Sequence, residues 1–286
     1  MNAIELSHVT KHFPGFTLQD LSLTVPSGTI CGLVGENGAG KSTTIRLLMG
    51  ALRPDSGTCT VLGADSASPE FLSLKEDIGV VLDEAYFPES LNALQVGGVM
   101  AKTYRRWDGK QYQNYLTRFG LPEKKPFKDF SRGMKMKLAI AVALSHSPRL
   151  LVLDEATSGL DPVVRSEMLD LFLEFIQDEE HAILLSSHIT SDLEKVADYV
   201  TYLHRGRVAV SGAKDELLDT YGKLVCGRSE LERVDPALLV GVRSGQFGCE
   251  ALVKNRRAFA RFHPELAVEP VSLEDIMVFT VKGDAR

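Results

Sequence analysis

Apolar and polar residues alternate from Ala3 to Val9 and again from Phe16 to Val25. This period of two predicts half-buried antiparallel strands, and Pro26-Ser27-Gly28 supplies the turn that ends the second. From Thr29 to Val34 the pattern changes to the run Ile-Cys-Gly-Leu-Val, the continuous apolar stretch of a strand buried on both faces. A glycine-rich turn follows, then a helical pattern from Thr43 to Met49. Ile78 to Leu82, Leu150 to Leu153 and Ala182 to Leu185 repeat the buried-strand pattern, and Val163 to Ile176 is helical between the last two. Strands alternating with helices predict an α/β domain built on a mostly parallel sheet.

Between Pro88 and Pro148 the pattern is mainly helical, rich in aromatic and basic residues, and contains no strand signal. It predicts a helical subdomain inserted at about 88–148. After Arg207 to Val210 and Asp215 to Leu218 the character shifts again. From Tyr221 to Arg286 the chain has short alternating runs, a turn near Gly245 and Gly248, and Ser272-Leu273-Glu274-Asp275, which fits a helix N-cap box. The expected division is therefore 1–218, with the helical insert, and a small separate unit at 219–286.

A length of 286 residues allows one or two domains, and 44% hydrophobic with 24% charged residues places the chain among folded globular proteins. The four cysteines, Cys31, Cys59, Cys226 and Cys249, are too dispersed for a zinc site or a disulfide framework, which fits a reducing cytoplasmic setting. The first residues lack a signal-peptide core, and the longest apolar run, Leu138 to Leu144, is far short of a membrane span. A membrane role then requires a partner. The net charge of −6 argues against a nucleic-acid backbone as that partner. Its distribution is uneven, because Ala101 to Lys137 holds eleven Lys or Arg against three Asp or Glu. A solvated helical face and a surface facing anionic headgroups or a partner's acidic groups both fit this excess.

The chemistry is concentrated in Gly35-Glu36-Asn37-Gly38-Ala39-Gly40-Lys41-Ser42, a GxxxxGK[ST] motif placed after a buried strand and before a helix. Glycines there let successive N–H groups turn inward on a phosphate, Lys41 reaches the outer phosphates, and Ser42 is a ligand for Mg²⁺. A second motif, Leu150 to Glu155, ends a buried strand in two carboxylates. Asp154 suits a Mg²⁺ ligand, and Glu155 suits a general base for an attacking water. His188 follows a third buried strand, where a parallel sheet collects its ligands, and fits a γ-phosphate contact.

The ordered set GENGAGKST, FSRGMK, LVLDEATSGLDP and SSH resembles the nucleotide-binding subunit of an ABC transporter over roughly residues 1 to 218. The resemblance implies a P-loop cassette of the α/β class, with a RecA-like mostly parallel core, an N-terminal antiparallel β subdomain and an inserted helical subdomain. It implies ATP and Mg²⁺ as ligands and ATP hydrolysis as the reaction. It also implies a head-to-tail dimer with a second nucleotide-binding subunit, in which Ser131 and Gly133 of one subunit face the nucleotide of the other. By the same resemblance Phe13 falls where an adenine-stacking ring is expected, Thr43 beside the α-phosphate, and Asp161 in a loop that crosses the dimer interface.

Three residues depart from the family pattern. Arg132 stands for a glycine and Met134 for a glutamine in the signature, and Asp83 occupies the place of a glutamine near Mg²⁺ and the γ-phosphate. An aspartate there can approach Mg²⁺ through water but cannot donate an amide N–H. The bacterial branch with SRGM-type signatures pairs with separate ABC-2 type permeases, often exporters, which places such a subunit on the inner face of the cell membrane. Soluble members that act on nucleic acid or ribosomes are the alternative. Those carry long coiled coils or two cassettes, whereas only 90 positions separate Lys41 from Ser131 here.

Overall fold

The computed structural model describes residues 1–83, 87–245 and 248–282. In chain order the elements are β1 (Asn2–Phe13), β2 (Phe16–Pro26), β3 (Ile30–Gly35), α1 (Lys41–Leu48), β4 (Ser56–Val61), β5 (Ala64–Asp65), α2 (Phe71–Leu74), β6 (Ile78–Val81), α3 (Ala93–Thr103), α4 (Gly109–Arg118) and α5 (Arg132–Leu144). Then come β7 (Leu150–Asp154), α6 (Pro162–Phe175), β8 (Ala182–Ser187), α7 (Thr190–Val196), β9 (Tyr199–His204), β10 (Arg207–Ala213) and α8 (Lys214–Thr220). The tail adds β11 (Tyr221–Cys226), α9 (Arg228–Leu231), β12 (Leu239–Ser244), β13 (Cys249–Lys254), α10 (Arg256–Phe262), β14 (Val268–Glu269) and α11 (Leu273–Lys282).

The continuous apolar runs become the centre of a six-stranded sheet in the order β10-β9-β3-β8-β7-β6. Every pairing from β9 to β6 is parallel, and β10 closes one edge antiparallel to β9. All residues of β3, β7 and β8 are buried, as two-sided coverage by helices requires. The alternating N-terminal runs pair antiparallel as β1 and β2, within a four-stranded sheet ordered β2-β1-β4-β5. Ile4, Leu6 and Val9 point into the core that this sheet shares with β3 and α1.

β4 and β9 carry no periodic apolar signal in the sequence. β9 reads Tyr-Val-Thr-Tyr-Leu-His, yet Thr201 is buried because its hydroxyl meets that of Ser211 on β10 at 2.8 Å. A polar residue satisfied across a strand pair can sit in a core, and only the pairing reveals it.

The stretch 88–148 is helical, as its pattern predicts. Three side chains start its helices: Asn92 with Gln95 as a capping box on α3, Asp108 on α4 and Ser131 on α5. Five of its basic residues meet carboxylates. Arg105 and Arg106 meet Glu76 and Asp77, Arg118 meets Glu174 at 2.6 Å, Arg132 meets Asp83 at 2.9 Å and Lys137 meets Glu167 at 2.7 Å. Part of the local positive excess therefore faces acidic residues of this same chain.

The tail forms its own antiparallel sheet, β12-β13-β11-β14, over a small core around Leu224, Ala251 and Phe259. It is less separate than its sequence implies. Leu273, Ile276 and Phe279 of α11 join the same hydrophobic core as Leu193, Val196 and Val200, and the Leu273 N–H donates to Glu194 at 2.6 Å. The turn expected between Gly245 and Gly248 has its central residues, 246 and 247, outside the described residues, as are 283–286. All four cysteines are free and buried, and burial pushes the thiols of Cys31 and Cys59 up to about 12 and about 11. At those values both stay protonated and inert.

The N-cap box read at residues 272–275 is formed: the Asp275 N–H donates to Ser272 Oγ at 3.0 Å, and the Ser272 N–H donates to Asp275 Oδ2 at 3.1 Å. Partial burial pushes the Asp275 carboxyl up, but the Ser272 N–H and hydroxyl, with Lys223, hold it net below the usual carboxylate range. A lowered folded value contributes stability above the ordinary range and loses it as pH falls through the lowered value. Asp275→Ala should cost about 1 kcal/mol at neutral pH in thermal unfolding, and the difference from the parent chain should shrink below about pH 4. A loss that stays constant well below that acidity would refute the assignment.

Candidate functional site

β3 ends at Gly35 and α1 begins at Lys41, so residues 36–40 fold back across the carboxyl edge of the parallel sheet. Gly40 caps α1 at φ +116°, and a Cβ there would lie 2.9 Å from Leu18 and 3.2 Å from the Phe16 ring. Both the backbone angle and the space demand glycine. The first turn of α1 contains no acidic residue, so its exposed N–H groups and positive dipole end stay available to an anion.

Lys41 is 6% exposed. Its ammonium donates to the carbonyl oxygens of Gly35 at 2.7 Å and Glu36 at 3.4 Å, and lies 3.2 Å from Glu155 Oε1. The last contact is ionic but poorly aligned, because Oε1 is buried without a hydrogen bond. The chain thus satisfies this cation by itself, with one carboxylate held only by charge.

β7 lies beside β8 with Asp154 level with Ser186, and β8 lies beside β3 with Ser187 level with Val34. That register brings three strand ends together. Asp154 is 7% exposed and accepts from Ser42 Oγ at 2.9 Å and from Ser186 Oγ at 2.8 Å. Glu155 follows at φ +53°, a conformation that costs a non-glycine residue on the order of 1–3 kcal/mol and turns its carboxylate away from that of Asp154. Its Oε2 lies 2.6 Å from His188 Nδ1.

A cavity of about 390 Å³ opens here. Of the residues read from the sequence, Glu36, Asn37, Gly38, Gly40, Lys41, Ser42, Thr43, Asp83, Asp154 and Glu155 line it. Gly35 and Ala39 are buried behind the loop as its support. His188 turns to Glu155 rather than to the cavity wall, and Phe13, 36% exposed, stands beside the cavity. The ring in the wall is Phe16, 6.4 Å from Phe13 between centroids. Phe16 and Ser186 are the two site residues that the sequence reading passed over. The doubled aromatic in Phe-Pro-Gly-Phe, and the serine directly before Ser187-His188, were the available signals.

Ser131, Gly133 and Asp161 lie outside this cavity. Ser131 accepts from the Met134 N–H at 3.3 Å, and Asp161 accepts from those of Val163 and Val164, each at 3.1 Å. Both are helix caps within the chain. Gly133 has room to spare: a Cβ there would only reach ordinary contact, 3.9 Å from Leu160 and Val164.

Among the described residues no group of three or more His, Cys, Asp or Glu side chains could hold a metal ion alone. The Ser42 hydroxyl and the buried Asp154 carboxylate are still a hard-oxygen pair of the kind that holds Mg²⁺ together with phosphate and water.

A family model described as ABC transporter matches residues 18–158. The bacitracin transport ATP-binding protein BcrA of Enterococcus faecalis is 32% identical over 208 residues, which cover 72% of this chain and 67% of the relative. The daunorubicin/doxorubicin resistance ATP-binding protein DrrA of Streptomyces peucetius is 34% identical over 247 residues, with 81% and 74% covered. A solved structure described as the ATP binding subunit of an ABC transporter aligns at a TM-score of 0.68 and 27% identity, over 75% of this chain and 91% of that one.

Ser186→Ala would leave one oxygen of the buried Asp154 carboxylate without its donor. The expected cost is about 1–3 kcal/mol, read as a lower melting temperature without nucleotide. An unchanged melting temperature would show that the Ser186 contact does not hold Asp154.

Proposed function

Because the chain belongs to the ABC transporter ATP-binding family, a family of ATPases, we propose that it energises a membrane permease by binding and hydrolysing Mg·ATP as a head-to-tail dimer. One observation carries this reading. The phosphate loop, the Ser42–Asp154 pair and Glu155 converge on one cavity, while Ser131, Gly133 and Asp161 are not among its lining residues. Phosphate-binding groups on one cavity, with the signature residues outside its lining, support a composite site shared between two subunits.

In this reading Glu36 to Thr43 wrap the phosphates, and Phe16, with Phe13 beside it, offers a ring to the adenine. Ser42 and Asp154 would hold Mg²⁺, whose charge supports the phosphates and orients them for displacement. An arriving phosphate competes with Glu155 for the Lys41 ammonium. Glu155 is then released to accept a proton from the attacking water, with His188 steadying its other oxygen. Asp83 reaches the same space from the end of β6.

The permease partner is supported by a second opening, about 330 Å³, with walls from Ile45, Met49, Ile78, Val80, Leu82 and Tyr104. Val80 and Leu82 are 38% and 44% exposed, so an apolar groove lies between α1, β6 and the helical insert. A short amphipathic segment of the permease fits it. Among the described residues no helix is long and apolar enough to cross a membrane, so this subunit would sit peripherally on the inner face through that contact. The names of the relatives, bacitracin transport and daunorubicin/doxorubicin resistance, favour export.

Glu155→Gln should retain ATP, double the scattering mass and lower turnover by ~10²–10⁴-fold. A monomer at saturating Mg·ATP would sink the dimer reading. Gly133→Ala separates assembly from folding. Its new methyl meets only ordinary contacts within the chain and favours helix, so stability should move by less than about 1 kcal/mol. Turnover should nonetheless fall by at least roughly tenfold, since only the nucleotide on a facing subunit needs that room. Unchanged turnover would mean that nothing approaches Gly133.

A further inference from the structure

Four carboxylates line the cavity: Glu36, Asp83, Asp154 and Glu155. A phosphate chain entering it meets a negative wall, and Lys41 is the one Lys or Arg among the lining residues described. Three of the four have partners at the strand ends: Glu36 lies 3.0 Å from His204 Nδ1, Glu155 lies between Lys41 and His188, and Asp154 holds the hydroxyls of Ser42 and Ser186. Asp83 is compensated from a different element. Its Oδ1 accepts from Arg132 Nη2 at 2.9 Å, across 49 positions of sequence.

Arg132 is otherwise badly placed. It is the first residue of α5, where the helix dipole repels a cation, and that turn carries no acidic residue to offset it. Its guanidinium lies flat against Gly159, where a Cβ would come within 2.8 Å of Nη1 and 2.9 Å of Cζ. Gly159 sits at φ +68°, so the loop before α6 both adopts a glycine conformation and leaves the space that Arg132 fills. With each side chain 53% exposed, the ion pair adds little to folding stability. Its effect falls on the cavity.

We propose that Arg132 is a positioning residue for nucleotide binding: seated on Gly159, it neutralises Asp83 at the cavity wall, so that the two departures from the family pattern act as one compensated pair. The inference rests on the Mg·ATP reading above. It also means that the first turn of α5, which carries Ser131 and Gly133, is tied directly to the end of β6.

The test is a double-mutant cycle on the full chain, read as KM and kcat for Mg·ATP, with melting temperature as a control. Arg132→Gly leaves Asp83 uncompensated beside the phosphates and should raise KM about fivefold at low salt, less at high salt, with the melting temperature nearly unchanged. Arg132→Lys keeps the charge and should stay within about twofold of the parent chain. In an Asp83→Gln background, Arg132→Gly should leave KM within about twofold of the Asp83→Gln chain. The same KM rise in both backgrounds overturns the pairing, as does a loss confined to kcat in both, which would place Arg132 on the partner's nucleotide instead. Failure of the parent chain to bind Mg·ATP is measured first and sinks the functional reading itself.

Discussion

Parallel pairing is the constraint on which the rest depends. Because β9, β3, β8, β7 and β6 run in one direction, every loop leaving their carboxyl ends emerges at the same edge. The phosphate loop leaves β3, Asp154 and Glu155 end β7, Ser186 to His188 end β8, and Asp83 follows β6. Register does the fine placement. A slip of one residue between β7 and β8 would move Asp154 off Ser186 and break the hydrogen bond that holds it for Ser42. The all-buried faces of these strands resist such a slip, so the apolar core sets the geometry of the polar edge.

That edge is organised around charge that is only partly settled. Lys41 is held by two carbonyl oxygens and one poorly aligned carboxylate, and Asp154 is held by two neutral hydroxyls. In a buried setting each arrangement is adequate, yet a phosphate for Lys41 or a divalent cation for Asp154 would be a stronger partner. The positive φ at Glu155 belongs to the same pattern, a small backbone cost retained where it separates two adjacent carboxylates.

The helical insert is joined to the sheet by burial, since Leu138, Ile140 and Leu144 of α5 share one core with Val81, Leu151 and Leu153, and ion pairs line its rim: Arg105 and Arg106 with Glu76 and Asp77, Arg118 with Glu174 and Arg132 with Asp83. Pairs this exposed are each worth about 0–1 kcal/mol, so they orient the insert more than they fix it. The tail is anchored to the same core, through apolar residues of α11.

Much was legible from local pattern. The buried strands, the helix cap at Ser272 and the phosphate loop all depend on residues within a few positions of one another, so periodicity and turn chemistry reach them. β4 and β9 were not legible, because a strand such as Tyr199–His204 is stabilised by its neighbours rather than by its own alternation. The basic stretch from Ala101 to Lys137 left its partners open, and the reading that named Phe13 passed over Phe16, which lines the cavity. By itself the sequence determined the fully buried strands and the phosphate loop that follows one of them, since backbone preference and burial period are local. The tertiary structure alone decided that Arg132 meets Asp83, that Glu155 shares Lys41 with two carbonyls, and that Gly133 faces outward with room to spare, because strand order and helix packing, not chain distance, bring those atoms within reach.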